Sequence, residues 1–209
     1  VAEARTVAGA ARQAGTATQM GIQNHSNRPY SAALELFRAG HIGRVADVPM
    51  TIVARSTLPA GNLKEFLAYA KAGGKKLTFA NAGLGSAAHL CALLFASTIQ
   101  TEFTAVPYKG AAPALIDLMG GHVDLLCDQT STTSAQIKAG AIKVYGVTSK
   151  TRVSTLPTVP TLDEQGLAGF EMVVWYGLWA PKGTPKPVLD KLVAALQTAV
   201  VDPAFKSRL

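Results

Sequence analysis

The sequence predicts an α/β protein built on a mainly parallel sheet with helices covering it. Two observations carry the prediction. From residue 62 to residue 148, strand-length apolar runs alternate with helix-length ones, joined by short turns. Helix caps and glycines fall at the joins, among them Asn62, Gly73-Gly74 and Ser86. Nearly half of the 209 residues are apolar and no stretch is of low complexity, so the chain can bury a sizeable core in one medium or two small domains.

The elements follow in order. An Ala-rich helix is expected over 2–14, closed by Gly15, then a short strand over 17–22, a polar turn over 23–29 and a helix over 30–39 stopped by Gly40. Val48–Arg55 reads as a buried strand. Asn62 caps a helix over 63–72, with Phe66, Leu67 and Ala70 on one face. Strand 76–80, helix 86–99, strand 103–107, helix 111–119, strand 123–127, helix 131–138 and strand 142–148 then alternate. A Pro- and Thr-rich crossing at 150–160 leads to an aromatic strand over 170–179, in which Trp175, Tyr176 and Trp179 read as core residues, with a cleft-edge role open for Tyr176. Thr184-Pro185 opens a last amphipathic helix through Val200, with Pro185 at the first helical position.

The most informative stretch is Asn81-Ala82-Gly83-Leu84-Gly85-Ser86-Ala87-Ala88-His89. A glycine-bearing turn between a strand and a helix aims the free N–H groups of the helix's first turn outward, beside the positive end of the helix dipole. That is either an anion site, for a phosphate or a carboxylate, or a plain structural turn. Ser86 stands at the N-cap, and Gly83 and Gly85 let the backbone approach a ligand. Tyr108-Lys109-Gly110 forms a second such turn after the next strand, and parallel neighbours put the two turns side by side. Lys109 there is either a mobile cation beside the anion or a solvated surface lysine. Asp128, at the end of strand 123–127, either accepts from a ligand hydroxyl or ammonium or caps the following helix with Thr130. His89 either faces the ligand or hydrogen-bonds a nearby backbone carbonyl.

Other chemistry is disfavoured. Gly83, Gly85 and Ala88 fit part of a dinucleotide fingerprint, but the acid that would hold the ribose after the next strand is missing from Pro107-Tyr108-Lys109-Gly110. An oxidoreductase-related nucleotide-binding fragment is therefore the alternative reading only. There is no G-x-S-x-G elbow, and no Cys/His spacing suits a metal, so no enzyme activity, cofactor or metal site is expected. The net charge of +7 is scattered without interleaved aromatics, which argues against nucleic acid. Cys91, on an apolar helix, and Cys127, near a strand end, read as buried thiols. The chain carries no signal-peptide pattern at Val1 and no apolar run long enough to span a bilayer.

From about residue 44 to 209 the chain resembles the solute-binding proteins of tripartite tricarboxylate transporters, the Bug family. The resemblance is carried by Pro49–Arg55, Phe79–Leu90, Val106–Gly110, Ala112–Asp124, Gly146–Ser149, Leu156–Thr161 and Trp175–Pro181, all in family order. It implies a periplasmic-binding-protein-like (type II-like) lobe with a parallel-rich sheet, part of a two-domain clamp. The clamp would hold a small carboxylate in the periplasm and deliver it to membrane permease subunits. The turns at Ala82–Ser86 and Tyr108–Gly110, with Asp128 at the same rim, would supply contacts from the ligand lobe, expected over about 60–150, while 150–209 returns to the first lobe.

Residues 1–43 are similar instead to a short stretch late in the nucleotide-binding domain of the glucose-fructose oxidoreductase/inositol dehydrogenase family. Glu3-Ala4-Arg5, Ala10–Gly15, Thr18–Gly21 and Arg38–Gly43 carry this likeness. The glycine-rich loop that the Bug family has on its first domain is not found before Arg44. The expectation is thus an incomplete first lobe, with a fusion seam near Ile42-Gly43-Arg44-Val45.

Overall fold

The computed structural model describes residues 18–23, 46–72, 76–178, 180 and 183–202. In chain order the elements are β1 (Thr18–Gln23), β2 (Ala46–Arg55), α1 (Leu63–Lys71), β3 (Thr78–Asn81), α2 (Ala87–Ile99) and β4 (Thr104–Pro107). They continue with α3 (Ala111–Gly120), β5 (Leu125–Gln129), α4 (Thr130–Lys138), β6 (Ile142–Val147), β7 (Val173–Leu178) and α5 (Lys186–Val201). The helices expected over 2–14 and 30–39, the seam at 42–45, and Trp179 lie outside the described residues.

The chain divides into two compact units, Val1–Val48 with Val174–Leu209, and Pro49–Val173. In the first, β1 lies beside β7. Trp175 is buried, whereas Tyr176 is exposed. Pro185 is the N-cap of α5 rather than its first helical residue, because its ψ of 137° is still extended.

The second unit is wider than the 60–150 expected for a ligand lobe. The cause is β2, which hydrogen-bonds to β5 on one side and β6 on the other and so locks residues 50–55 into this sheet. Strand order in the unit is β6-β2-β5-β3-β4. β3 runs parallel to both β4 and β5, as the alternation predicts. β2 is antiparallel to β5 and β6, so the sheet is mixed. One face carries α1 and α2 on an aromatic core in which Phe66 stacks on Tyr145 at 4.7 Å and Phe79 meets Phe103 edge-on at 5.3 Å. The other face buries Val53, Ala80 and Leu126 under Ala114, Leu115 and Leu118 of α3. The crossing segment after β6 returns Leu156 and Val159 against Val147.

Two features pin this lobe. Asp124 receives hydrogen bonds from the Thr78 N–H and hydroxyl, both 2.9 Å, and from Arg55 Nε at 2.9 Å, joining the starts of β3 and β5 to the end of β2. Burial pushes the Asp124 carboxyl up, but the Thr78 bonds and the Arg55 guanidinium outweigh it and hold the group below the ordinary carboxylate range. Cys91 and Cys127 are joined in a disulfide, correcting the expectation of free thiols. Spacing gave no sign of it. Packing α2 on the sheet face that carries Cys127 brings two residues 36 apart to a Cα separation of 6.2 Å.

Each feature yields an expected outcome. Reducing the disulfide should lower unfolding free energy by about 3–4 kcal/mol, as the loop length implies, read from denaturant melts with and without reductant. Asp124→Asn should cost about 2–4 kcal/mol at neutral pH. Because the folded value is depressed, the Asp124 contribution is complete above about pH 4 and disappears as pH falls through the folded value. Urea melts across that range should show a steeper acid loss for the wild type than for Asp124→Asn.

Candidate functional site

Three parallel strands, β3, β4 and β5, end on one edge of the second unit's sheet, and the turns after them share that rim. There Asn81, Tyr108 and Asp128 are brought to adjacent strand ends, and α2, α3 and α4 all start. The predicted grouping of the two turns with Asp128 is what the sheet produces.

The first turn is more self-satisfied than its sequence suggests. Gly83 N–H donates to Asn81 Oδ1 at 3.0 Å, Ser86 N–H to the Gly83 carbonyl at 3.1 Å, and Gly85 N–H to His89 Nδ1 at 3.1 Å. These three amides close the turn rather than face outward. Ser86 is the N-cap, its Oγ accepting from His89 N–H at 3.2 Å. Ala87 and Ala88 are then the first-turn residues whose N–H groups have no acceptor within the helix. Gly83 has φ +118° and Gly85 φ +78°, conformations that need glycine. His89 therefore acts as the acceptor that braces Gly85, and it bonds no carbonyl through Nδ1.

The second turn is tied to the first, since Tyr108 N–H donates to the Asn81 carbonyl at 2.9 Å. The Tyr108 hydroxyl is turned away, donating to Asp117 Oδ2 at 2.6 Å. Burial, reinforced by Asp117, pushes that phenol up to about 12. Lys109 is exposed and has no hydrogen bond or ion pair among the described residues. Gly110 caps α3 with φ +116°, leaving the Gly110, Ala111 and Ala112 amides at the helix start.

Asp128 does not cap α4. The N-cap is Gln129, and Asp128 Oδ1 accepts from the Gln129 N–H at 2.7 Å. The residue is 5% exposed, and Oδ2 has no hydrogen-bond partner among the described residues. Burial pushes this carboxyl up to about 6, with the Gln129 N–H opposing. Asn81, fully buried on the neighbouring strand, has its Nδ2 in the same condition. Thr51 and Thr133, which sequence reading passed over, stand next to Asp128. Thr51 Oγ1 donates to the Asp128 carbonyl at 3.2 Å and meets Thr133 Oγ1 at 2.8 Å. Neither has a sequence signal, because β2 reaches Asp128 only through antiparallel pairing. A separate groove along α2, lined by Phe79, Leu93, Ala96 and Phe103, is apolar and runs from His89 to the far end of that helix. No group of His, Cys, Asp and Glu suited to a metal occurs among the described residues.

Parallel strands that end together beneath glycine turns and helix starts form the ligand edge of an open α/β sheet, and the similar solved structures, which include periplasmic binding proteins, make the class a lobe of that type. The chain belongs to the tripartite tricarboxylate transporter family receptors, the TctC family, whose sequence profile matches residues 3–209. A UPF0065 protein from the TAR-I ttuE-ttuC' intergenic region of Agrobacterium vitis is 47% identical over 167 residues, 80% of this chain and 48% of that protein. The structure of periplasmic binding protein BugD matches with TM-score 0.73 and 52% identity, over 81% of this chain and 56% of that one. MatC from Rhodopseudomonas palustris with bound malate matches with TM-score 0.71 and 35% identity, over 81% and 57%. The chain thus spans about half the length of such curated relatives. Because the family match includes residues 3–43, the comparisons give no support to an oxidoreductase piece or a fusion seam there.

Gly83→Ala should cost about 1–3 kcal/mol of stability, since a side chain is strained at this φ. Thermal melts of the variant check this, and an unshifted melting temperature would mean the turn relaxes freely.

Proposed function

We propose that this chain is the solute-recognising part of a receptor that binds a small carboxylate outside the cytoplasm and hands it to membrane permease subunits. The observation that supports it best is the rim itself. The amides of Ala87 and Ala88 on α2, and of Ala111 and Ala112 on α3, stand at the positive ends of two helices. Beside them are two buried side-chain atoms without hydrogen-bond partners among the described residues, Asn81 Nδ2 and Asp128 Oδ2. Buried polar atoms are almost always paired, so such a pair on one rim fits a ligand that completes it.

The residues assigned to the ligand are Asn81, Ala82, Gly83, Gly85, Ser86, His89, Tyr108, Lys109, Gly110 and Asp128. Their roles differ. Ser86 keeps its hydroxyl proton for the carboxylate while its oxygen caps α2. Gly83, Gly85 and His89 hold the first turn in shape, and Tyr108 acts through its backbone tie to Asn81. Lys109 adds long-range attraction. The malate bound by the similar MatC supports a small dicarboxylate as the class. The family description supports permease partners, and the Cys91–Cys127 disulfide fits an oxidising compartment such as the periplasm.

Calorimetry with malate tests the reading. Ser86→Ala should weaken binding by roughly 1.5–3 kcal/mol, the size of a hydrogen bond to a charged group. Lys109→Gln should weaken it less and flatten its salt dependence. If both variants bind like the wild type, the carboxylate sits elsewhere.

A further inference from the structure

We infer that Asp128 enters the complex as a neutral acid, donating its own proton in a hydrogen bond to a ligand carboxylate, so that binding takes up a proton. This rests on the carboxylate-receptor reading above and adds to it the protonation state of one contact.

The argument begins with what surrounds the carboxyl. Oδ1 accepts from the Gln129 N–H, and Oδ2 accepts from nothing among the described residues, although the side chain is buried. An ionised carboxylate so placed has lost its water and regained one donor. The elements around it bring neutral groups. β2 contributes Thr51 and α4 contributes Thr133. Among the described residues the charged or titratable side chains of the rim are Lys109, which is exposed, His89, whose Nδ1 is engaged by Gly85, and Tyr108, whose hydroxyl is spent on Asp117. No ion pair among the described residues includes Asp128.

The same burial raises the carboxyl to about 6 in the free protein. A carboxylate ligand arriving at this rim raises it further, because two anions side by side repel. Protonation resolves both problems at once. The acid O–H removes the repulsion and becomes a donor where the ligand presents acceptors. The proton comes from solvent, and no bond other than the carboxyl O–H is made. Proton and ligand then favour each other's binding, and by linkage the affinity must fall as pH rises above the free-state value.

Malate binding, measured by calorimetry at about pH 6 and about pH 8 in two buffers of different ionisation enthalpy, tests this. Malate is predominantly the dianion at both pH values, and the small contribution of its own second ionisation is removed by subtracting the exchange measured with Asp128→Asn. The wild type should take up about half a proton per site at pH 6 and close to a whole one at pH 8, and its Kd should rise roughly tenfold or more between those pH values. Asp128→Asn, whose amide is a permanent donor of nearly the same shape, should bind with a pH-independent Kd and no proton uptake. Binding by the wild type without proton uptake, or binding that tightens as pH rises, would overturn the inference while leaving the receptor reading intact. So would an Asp128→Asn variant that still takes up a proton. These wild-type readouts decide the matter even if the variant folds poorly. Wild type that binds neither malate nor an unsubstituted dicarboxylate would overturn the receptor reading and this inference with it.

Discussion

The arrangement of this lobe depends on one buried carboxylate. Asp124 gathers the Thr78 N–H, the Thr78 hydroxyl and Arg55 Nε, and its own N–H donates back to Thr78 Oγ1 at 2.8 Å. Three strands meet there. With β3, β5 and β2 tied at that end, their register is fixed along their length, and the opposite ends of β3 and β5 must finish together. A one-residue slip would reverse every side chain on a strand and move Asp128 to the other face.

Asp124 and Asp128 stand at the two ends of the same strand in opposite electrostatic conditions. Asp124 is surrounded by donors and a guanidinium, so its charge is stabilised and its pKa falls. Asp128 is more deeply buried and has a single backbone donor, so its charge is penalised and its pKa rises. Burial pushes both carboxyls up; at Asp124 the donors that replace water reverse the direction, and at Asp128 one donor is too few. A satisfied carboxylate serves as a clamp, whereas one left incomplete at a rim of helix starts is suited to meeting something that arrives from outside.

The rim is rigid because its turns are bonded to themselves and to each other. Asn81 is the junction, accepting from Gly83 through its side chain and from Tyr108 through its carbonyl. Behind it, the Cys91–Cys127 disulfide, the stacking of Phe95 on Phe103 and the edge-on contact of Phe79 with Phe103 hold α2 on the sheet. Ser86 and the first-turn amides of α2 thereby keep their position relative to β5. Recognition sites built on such braced elements lose little freedom when a ligand binds.

Sequence by itself determined what depends on neighbours along the chain. The alternation of β3 through β6 with α2, α3 and α4, the Asn62 and Ser86 caps, and the glycine turns at 83–85 and 110 were all legible, since propensity, periodicity and capping are local. The parallel order put both turns and Asp128 on one rim, and the motifs pointed to the family. Tertiary structure alone decided the rest. The antiparallel insertion of β2 between β5 and β6, the Thr51 and Thr133 shell, the Asp124 clamp and the disulfide each join residues far apart in sequence. It also decided which donors of the Gly83–Ser86 turn are spent. A motif shows that amides are present, but only the folded chain shows that Asn81, Gly83 and His89 have already taken three of them.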